Sequence, residues 1–564
     1  MATPANPSPG PSGEIHRVSD AYVAAVAAAN PIEATYFGEA GHDHLLPDLS
    51  PDGVAERGRL ATAALAEIAG IEPVDTASAN AKAVFVERVG RTHDLHEAGL
   101  VDFDLNVIAS PAQDVREVFD LMPTETAEHW ATIAARLSAV PECLEGYEAS
   151  LRAAAARGDV PALRQVVKVA EQCRTWAGLS GARSFFAGLA DGAGELAGPD
   201  LAAGVAAAER AYADLAGFLT SELAPAAPAE DAVGEDRYRL FSQLYTGARL
   251  DLAEAYAWGW DEFSRIEAEM RRVADRVKPG ATIAEAAAHL DADPRYQVTG
   301  QDALRRWMQE LSDRALSDLR GVHFDIPDRL MALECRIAPP GGTVGAYYQG
   351  PTDDWTRPGR MWWSVPADRA DFSTWREVTT VYHEGVPGHH LQIGTAVNQA
   401  AHLNRFQRLL CWVPAYGEGW ALYAERLMRE FGYLDDDGDL LGMLDAHLFR
   451  AARVIIDIGM HLKLEIPRGT GFHEGERWTP DLGLEFLLTR TITDPAHVRD
   501  EVDRYLGWPG QAPTYKLGER LWLRARDEVK GRRGDAFDLR RFHQDALEMG
   551  AMGLDTLTER LAAL

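Results

Sequence analysis

The sequence predicts a mainly α-helical protein carrying one small antiparallel or mixed β-sheet, set next to a helix with a zincin-like metal motif. Three observations predict this. From about Ile15 to about Leu319 apolar residues return every three or four positions, between roughly Val322 and Pro366 the chain breaks into short β-type runs, and after Asp371 the helical period resumes.

Residues 1–14 are rich in Pro, Ser, Gly and Ala, lack the basic start and apolar stretch of a signal peptide, and read as a disordered lead-in. A first helical block, 15–320, follows in Ala-heavy segments such as 22–29, 54–69, 160–189, 201–223 and 252–277, separated by Pro, Gly or Asp. No fixed-period repeat runs through it, which disfavours a solenoid. The second block, 321–564, opens on four runs read as strands, 322–326, 333–337, 344–349 and 361–365. Helices follow at about 372–382, 416–431, 440–464, 482–489, 515–529 and 536–549.

A length of 564 residues allows about three or four domains. The richest chemistry follows the sheet directly, so the two blocks are read as one catalytic unit. Lys and Arg total 56 against 86 Asp and Glu, a net charge of −30, which argues against nucleic acid as a partner. The four cysteines, Cys143, Cys173, Cys335 and Cys411, form no C-x-x-C pair, so a reducing cytoplasm is expected. No run of about 18 apolar residues suggests a membrane span.

The motif that follows the sheet is Tyr382-His383-Glu384-Gly385-Val386-Pro387-Gly388-His389-His390. In H-E-x-x-H an i, i+4 spacing puts two imidazoles on one helix face. Here His383 and His389 are six apart, and six residues of ideal helix turn through about 600°, which places them on nearly opposite faces. Pro387 resolves the difficulty: it has no N–H and its ring clashes with the carbonyl of His383, so the helix must open. With Gly385 and Gly388 allowing two residues to loop out, His383 and His389 regain an effective i, i+4 relation, with His390 as the alternative second ligand. A third ligand is expected from Glu418, around which Gly417 and Gly419 leave space; Glu425, two turns on, is read as orienting a ligand or forming a core ion pair. Two imidazoles and one carboxylate fit zinc best.

Together with Glu418-Gly419-Trp420-Ala421-Leu422-Tyr423-Ala424-Glu425, the set Arg453, Asp457, Gly459 and His461, and the run Pro509 to Gly518, this motif resembles the bacterial domain-of-unknown-function 885 family. That family is grouped with gluzincin-like metallopeptidases. The resemblance spans nearly the whole chain and implies a helical bowl split by a deep channel, as in oligopeptidases.

Given one metal ion, Glu384 is the expected general base, and Tyr515, at the start of a helix after a Pro/Gly-rich turn, the expected donor to a developing oxyanion. The segment containing Tyr347 and Tyr348 reads as an edge strand able to pair with an extended peptide. Arg453, Asp457 and His461 share a helix face at i, i+4, i+8; His461 is read as contacting substrate or transition state, Arg453 as binding substrate, and Arg453 with Asp457 equally as a structural pair. The function expected is a zinc-dependent hydrolase cutting amide bonds in short peptides; a hydrolase of non-peptide amides or esters, and a metal- or peptide-binding protein without turnover, are the alternatives. The acidic run Asp435-Asp436-Asp437-Gly438-Asp439 lacks the glycine an EF-hand needs at its sixth position and reads as a solvated loop.

Overall fold

The structure is a computed structural model and describes residues 13–338, 345–365 and 369–563. The lead-in lies outside them up to residue 12, and Glu14 already opens a helix, Glu14–Ala29.

The chain divides into two compact units. The first runs to Val233 and also takes in Asp500–Trp508. Its core is built on three helices, α1 (Ala127–Ala156), α2 (Leu163–Trp176) and α3 (Leu201–Phe218). Thr126 caps α1 by accepting a hydrogen bond from the His129 N–H, which satisfies one of the donors a helix start leaves open. Gly204 lets α3 lie against α1: a Cβ there would stand 3.0 Å from the Ala134 carbonyl oxygen and the Leu137 Cβ.

The second unit comprises Gly234–Arg499 and the chain from Pro509 onward. The sequence reading set the boundary at 320, but the helix α4 (Leu252–Val277) belongs here. It packs along a long helix near the C-terminal end, Asp437–Leu462, and a Cβ on Gly259 would meet Val454 at 3.0 Å. After α4 come β1 (Gln297–Thr299) and α5 (Gln301–Leu319). The sheet strands are β2 (Leu333–Ile337), β3 (Gly345–Gln349) and β4 (Gly359–Ser364), followed by the short β5 (Asp371–Ser373). The main sheet is mixed: β4 is central, parallel to β2 with Cys335 opposite Met361, and antiparallel to β3 with Tyr347 opposite Trp362. β3 is thus an edge, as its sequence implies.

Two strand expectations need correction. Residues 322–326 form a turn, because Gly321 adopts a positive φ of 73° and reverses the chain; Phe324 and Ile326 enter the core and His323 stacks on Phe431, while Val322 stays exposed. Conversely β1 and β5, three residues each, pair antiparallel with Val298 opposite Phe372. Both fall below the length at which alternation shows in a sequence.

Six further helices complete this account: α6 (Thr374–Glu384), α7 (His389–Asn398), α8 (Pro414–Glu430), α9 (Asp437–Leu462), α10 (Thr514–Arg533) and α11 (Leu539–Glu548). Helices α8 and α10 cross at glycine. A Cβ on Gly419 would lie 2.5 Å from the Gly518 backbone, and one on Gly518 only 2.0 Å from the Ala415 carbonyl. The expectation that Gly417 and Gly419 clear space for Glu418 is therefore revised: Gly419 admits Gly518, and Gly417 admits the Trp412 ring. Gly419→Ala should lower stability by about 1–3 kcal/mol, measured by urea unfolding, because backbone atoms rather than a movable side chain occupy the space.

Candidate metal centre

Helix α6 stops at Glu384, and α7 begins at His389. The expected two-residue bulge is a four-residue break. The Gly385 N–H still reaches the Val381 carbonyl at 2.9 Å, the Gly388 N–H turns back to the Tyr382 carbonyl at 3.1 Å, and the Val386–Pro387 peptide is cis. Gly388 is demanded by crowding, since a Cβ would stand 1.8 Å from the His383 carbonyl oxygen. From α8, the Trp420 indole N–H donates to the Pro387 carbonyl at 2.8 Å and holds the break in place.

This geometry brings three buried side chains together with a fourth that is partly exposed, Glu418. The ligand atoms of His383, Glu384 and His389 fall within 4.8 Å of one another, and Glu418 reaches in from α8. Glu418 Oε2 is 3.1 Å from His383 Nε2 and 3.5 Å from His389 Nε2. Bonds of about 2.0–2.1 Å in a tetrahedral arrangement set neighbouring donor atoms about 3.3 Å apart, so both approaches of Glu418 to the imidazoles have the spacing of zinc ligand pairs. The residues present therefore fit a divalent ion.

Behind His383 stands Glu425, fully buried. Its Oε1 is 2.7 Å from His383 Nδ1, and its Oε2 accepts from the Thr379 hydroxyl. Without an ion both ring nitrogens face a carboxylate; with an ion at Nε2, Glu425 accepting the Nδ1 proton would select the tautomer a metal ligand needs. Burial works against charge on all these groups, but not with equal success. For His383, the hydrogen bonds it donates to Glu418 and Glu425 outweigh burial and raise it to about 9; Glu418 and Glu425 are held below the usual carboxylate range, against burial, by their imidazole partners. Glu384 is the exception, raised by burial. Glu425→Gln should weaken metal binding by about 10–100-fold, read by competition with a chelating dye, because a neutral amide fixes neither ring nor tautomer as firmly.

His390 does not join the cluster. Its Nε2 donates to the Leu330 carbonyl at 2.8 Å, its Nδ1 lies 2.9 Å from the Tyr348 hydroxyl, and burial holds it near 4, so it stays neutral with both nitrogens engaged. Tyr348 is thereby committed to His390, whereas Tyr347 is half-exposed on the edge strand and stacks on Trp362.

Tyr515 lies beside the cluster, its ring 6.5 Å from that of His383 and inclined by 21°. The Arg453 and Arg450 guanidiniums sit over the Tyr515 ring at 4.7 and 5.6 Å. Further along α9, Asp457 is fully buried, accepting from the Tyr238 hydroxyl at 2.6 Å and the Gly510 N–H at 2.9 Å, which ties down the turn leading to Tyr515. His461, expected to contact substrate, is wholly buried against the Tyr238 ring at 5.7 Å. The α9 stripe is thus split: Arg453 meets Tyr515, and Asp457 and His461 form the buried support below.

Four side chains beside the site escape the sequence reading. His447 Nε2 is 3.3 Å from Glu425 Oε2, and Lys516, wholly buried, bridges His447, Glu519 and Glu262. Trp412, 48% exposed, places its ring 6.1 Å from His389. Arg450 had a signal, its i, i+3 spacing to Arg453; Lys516 had another in its adjacency to Tyr515. His447 and Trp412 had none.

Fold and site define a mainly helical protein whose buried His–Glu cluster sits at a glycine-proline break between two helices. The chain belongs to the family described as "Bacterial protein of unknown function (DUF885)", whose model matches residues 31–561. Two solved structures share the fold, each described as a "putative lipoprotein". That from Colwellia psychrerythraea is 22% identical, with a TM-score of 0.82 over 97% of this chain and 98% of its own. That from Shewanella oneidensis is 17% identical, with a TM-score of 0.72 over 98% of this chain and 100% of its own. No curated protein matches the chain.

Proposed function

We propose that the chain is a metal-dependent hydrolase, with zinc as its ion, that cleaves amide bonds in short peptides, akin in chemistry to gluzincin metallopeptidases. The observation that carries the reading is the convergence of His383 Nε2, His389 Nε2 and Glu418 Oε2 at separations of 3.1 and 3.5 Å, with Glu384 alongside and Glu425 fixing one imidazole. His383, His389 and Glu418 hold the ion. When bound, a divalent ion polarises the scissile carbonyl and makes water a better nucleophile at neutral pH.

The chain's own groups do the rest. Glu384 is not needed as a ligand, and its burial favours proton uptake; it takes the proton of the attacking water and passes it to the departing amine. Tyr515 donates its hydroxyl to the carbonyl oxygen as that oxygen gains charge, and Arg453 and Arg450, packed on its ring, make the surroundings electropositive. The edge strand β3, with Tyr347 facing out, pairs with the backbone of an extended substrate.

Metal analysis of the purified protein, with a panel of short peptides, acyl amino acids and esters assayed before and after chelation, tests the proposal. About one zinc per chain is expected, with peptide cleavage lost on chelation and restored by zinc. Full hydrolysis by metal-free protein would overturn it, and cleavage confined to esters or acyl amino acids would reassign the substrate.

A further inference from the structure

The acidic run set aside as a solvated loop has a different place in the fold. Asp436 caps α9, its Oδ1 accepting from the Gly438 N–H at 2.8 Å and from the Tyr296 hydroxyl at 2.5 Å. Asp439 lies one turn further in and lines a cavity of about 390 Å³ in the second unit. Trp307, Tyr296, Tyr382 and Tyr433 line the same cavity, and so does Arg314 from α5. Its volume falls within the range of small-molecule sites.

Two of the charges on this wall are unmatched. Neither the Asp439 carboxylate nor the Arg314 guanidinium makes a hydrogen bond or an ion pair among the described residues, although every other charge of the lining is engaged: Asp436 as above, and Arg295 with Asp293 at 2.7 Å. Burial, then the neighbouring Asp436, pushes Asp439 up to about 7, the response of a carboxylate with no cation to answer it. The Tyr382 hydroxyl, on a residue 3% exposed, also has no partner here. A half-buried carboxylate and an exposed guanidinium, neither paired among the described residues, share a cavity lined by aromatic residues and match a ligand with an ammonium group, a carboxylate and an apolar body.

We infer that this cavity is a binding site for a small zwitterion of the amino-acid or dipeptide class with an aromatic side chain, its ammonium held by Asp439 and its carboxylate by Arg314. The aromatic residues Trp307, Tyr296 and Tyr433 line the cavity and suit an aromatic side chain. The inference does not rest on the hydrolase reading, since none of these residues belongs to the metal cluster.

Calorimetric titration of the full chain with L-phenylalanine, and with phenethylamine and 3-phenylpropionate as its one-charge analogues, tests it. The zwitterion should bind at least about tenfold more tightly than either analogue. Asp439→Asn should erase its advantage over 3-phenylpropionate, and Arg314→Met its advantage over phenethylamine. Arg314 is exposed, so its replacement carries little risk to folding even if Asp439→Asn does. Phenylalanine binding that survives both substitutions, binding lost with Glu418→Gln instead, or no binding by any of the three, would overturn the assignment.

Discussion

Glu384→Gln is expected to lower peptide hydrolysis by about 10²–10⁴-fold while the protein keeps its metal. Glutamine preserves the shape of a side chain that is 6% exposed and packed at the end of α6, so the fold has no reason to change. What it removes is the oxygen that can take up a proton. The prediction also separates two arrangements of one cluster, because the ligand atoms of His383, Glu384 and His389 lie within 4.8 Å of one another and would themselves make a His–Glu–His set. If Glu418 is the third ligand, as its 3.1 and 3.5 Å approaches to the two imidazoles indicate, the variant binds zinc as before and only turnover falls. If Glu384 were the ligand, zinc and turnover would be lost together, and Glu418→Gln would be the variant that keeps the ion. Metal content and kcat measured on the same preparations decide it.

The parts of this site legible in the sequence are those governed by local covalent chemistry. Pro387 lacks an N–H, and glycines stand on either side, so a broken helix between His383 and His389 follows from nine consecutive residues. What could not be read is what the rest of the chain offers each group. His389 and His390 are neighbours of the same type; they differ because the Leu330 carbonyl and the Tyr348 hydroxyl, 60 and 42 positions away, engage His390 and nothing engages His389 Nδ1. Gly417 and Gly419 look like clearance for Glu418 until the Trp412 ring and the Gly518 backbone are found in that space. His461 carries the same sequence signal as Arg453 one helix face over two turns, yet Tyr238 buries it. The fold was more readable because helical period is a local property, and it failed where an element was too short, as for β1 and β5, or where a turn buried apolar residues that resemble a strand, as at 322–326.

Gly388→Ala should be the most damaging single methyl group in the second unit's metal centre. The added Cβ would stand 1.8 Å from the His383 carbonyl oxygen and 2.5 Å from that of Tyr382, backbone atoms at the end of α6 that no rotamer change can move. Relief requires the break to swing away from α6, which breaks the Gly388 N–H to Tyr382 bond and carries the adjoining His389 with it. Over-packing of this kind costs about 1–3 kcal/mol, but the metal site amplifies the displacement, because a ligand atom moved by much more than about 0.2 Å leaves the bonding range. We expect zinc affinity to fall by at least about a hundredfold, well beyond the loss of stability seen in unfolding experiments. Gly531→Ala is the control: it lies in α10 with open space where its Cβ would go, and should leave zinc affinity unchanged while helix propensity gains a few tenths to about 1 kcal/mol. Equal losses in the two variants would mean that the Gly388 contact does not position His389. A loss at Gly388 alone would make the tight turn between the two histidines, rather than the histidines' spacing in sequence, the feature that allows them to share one ion.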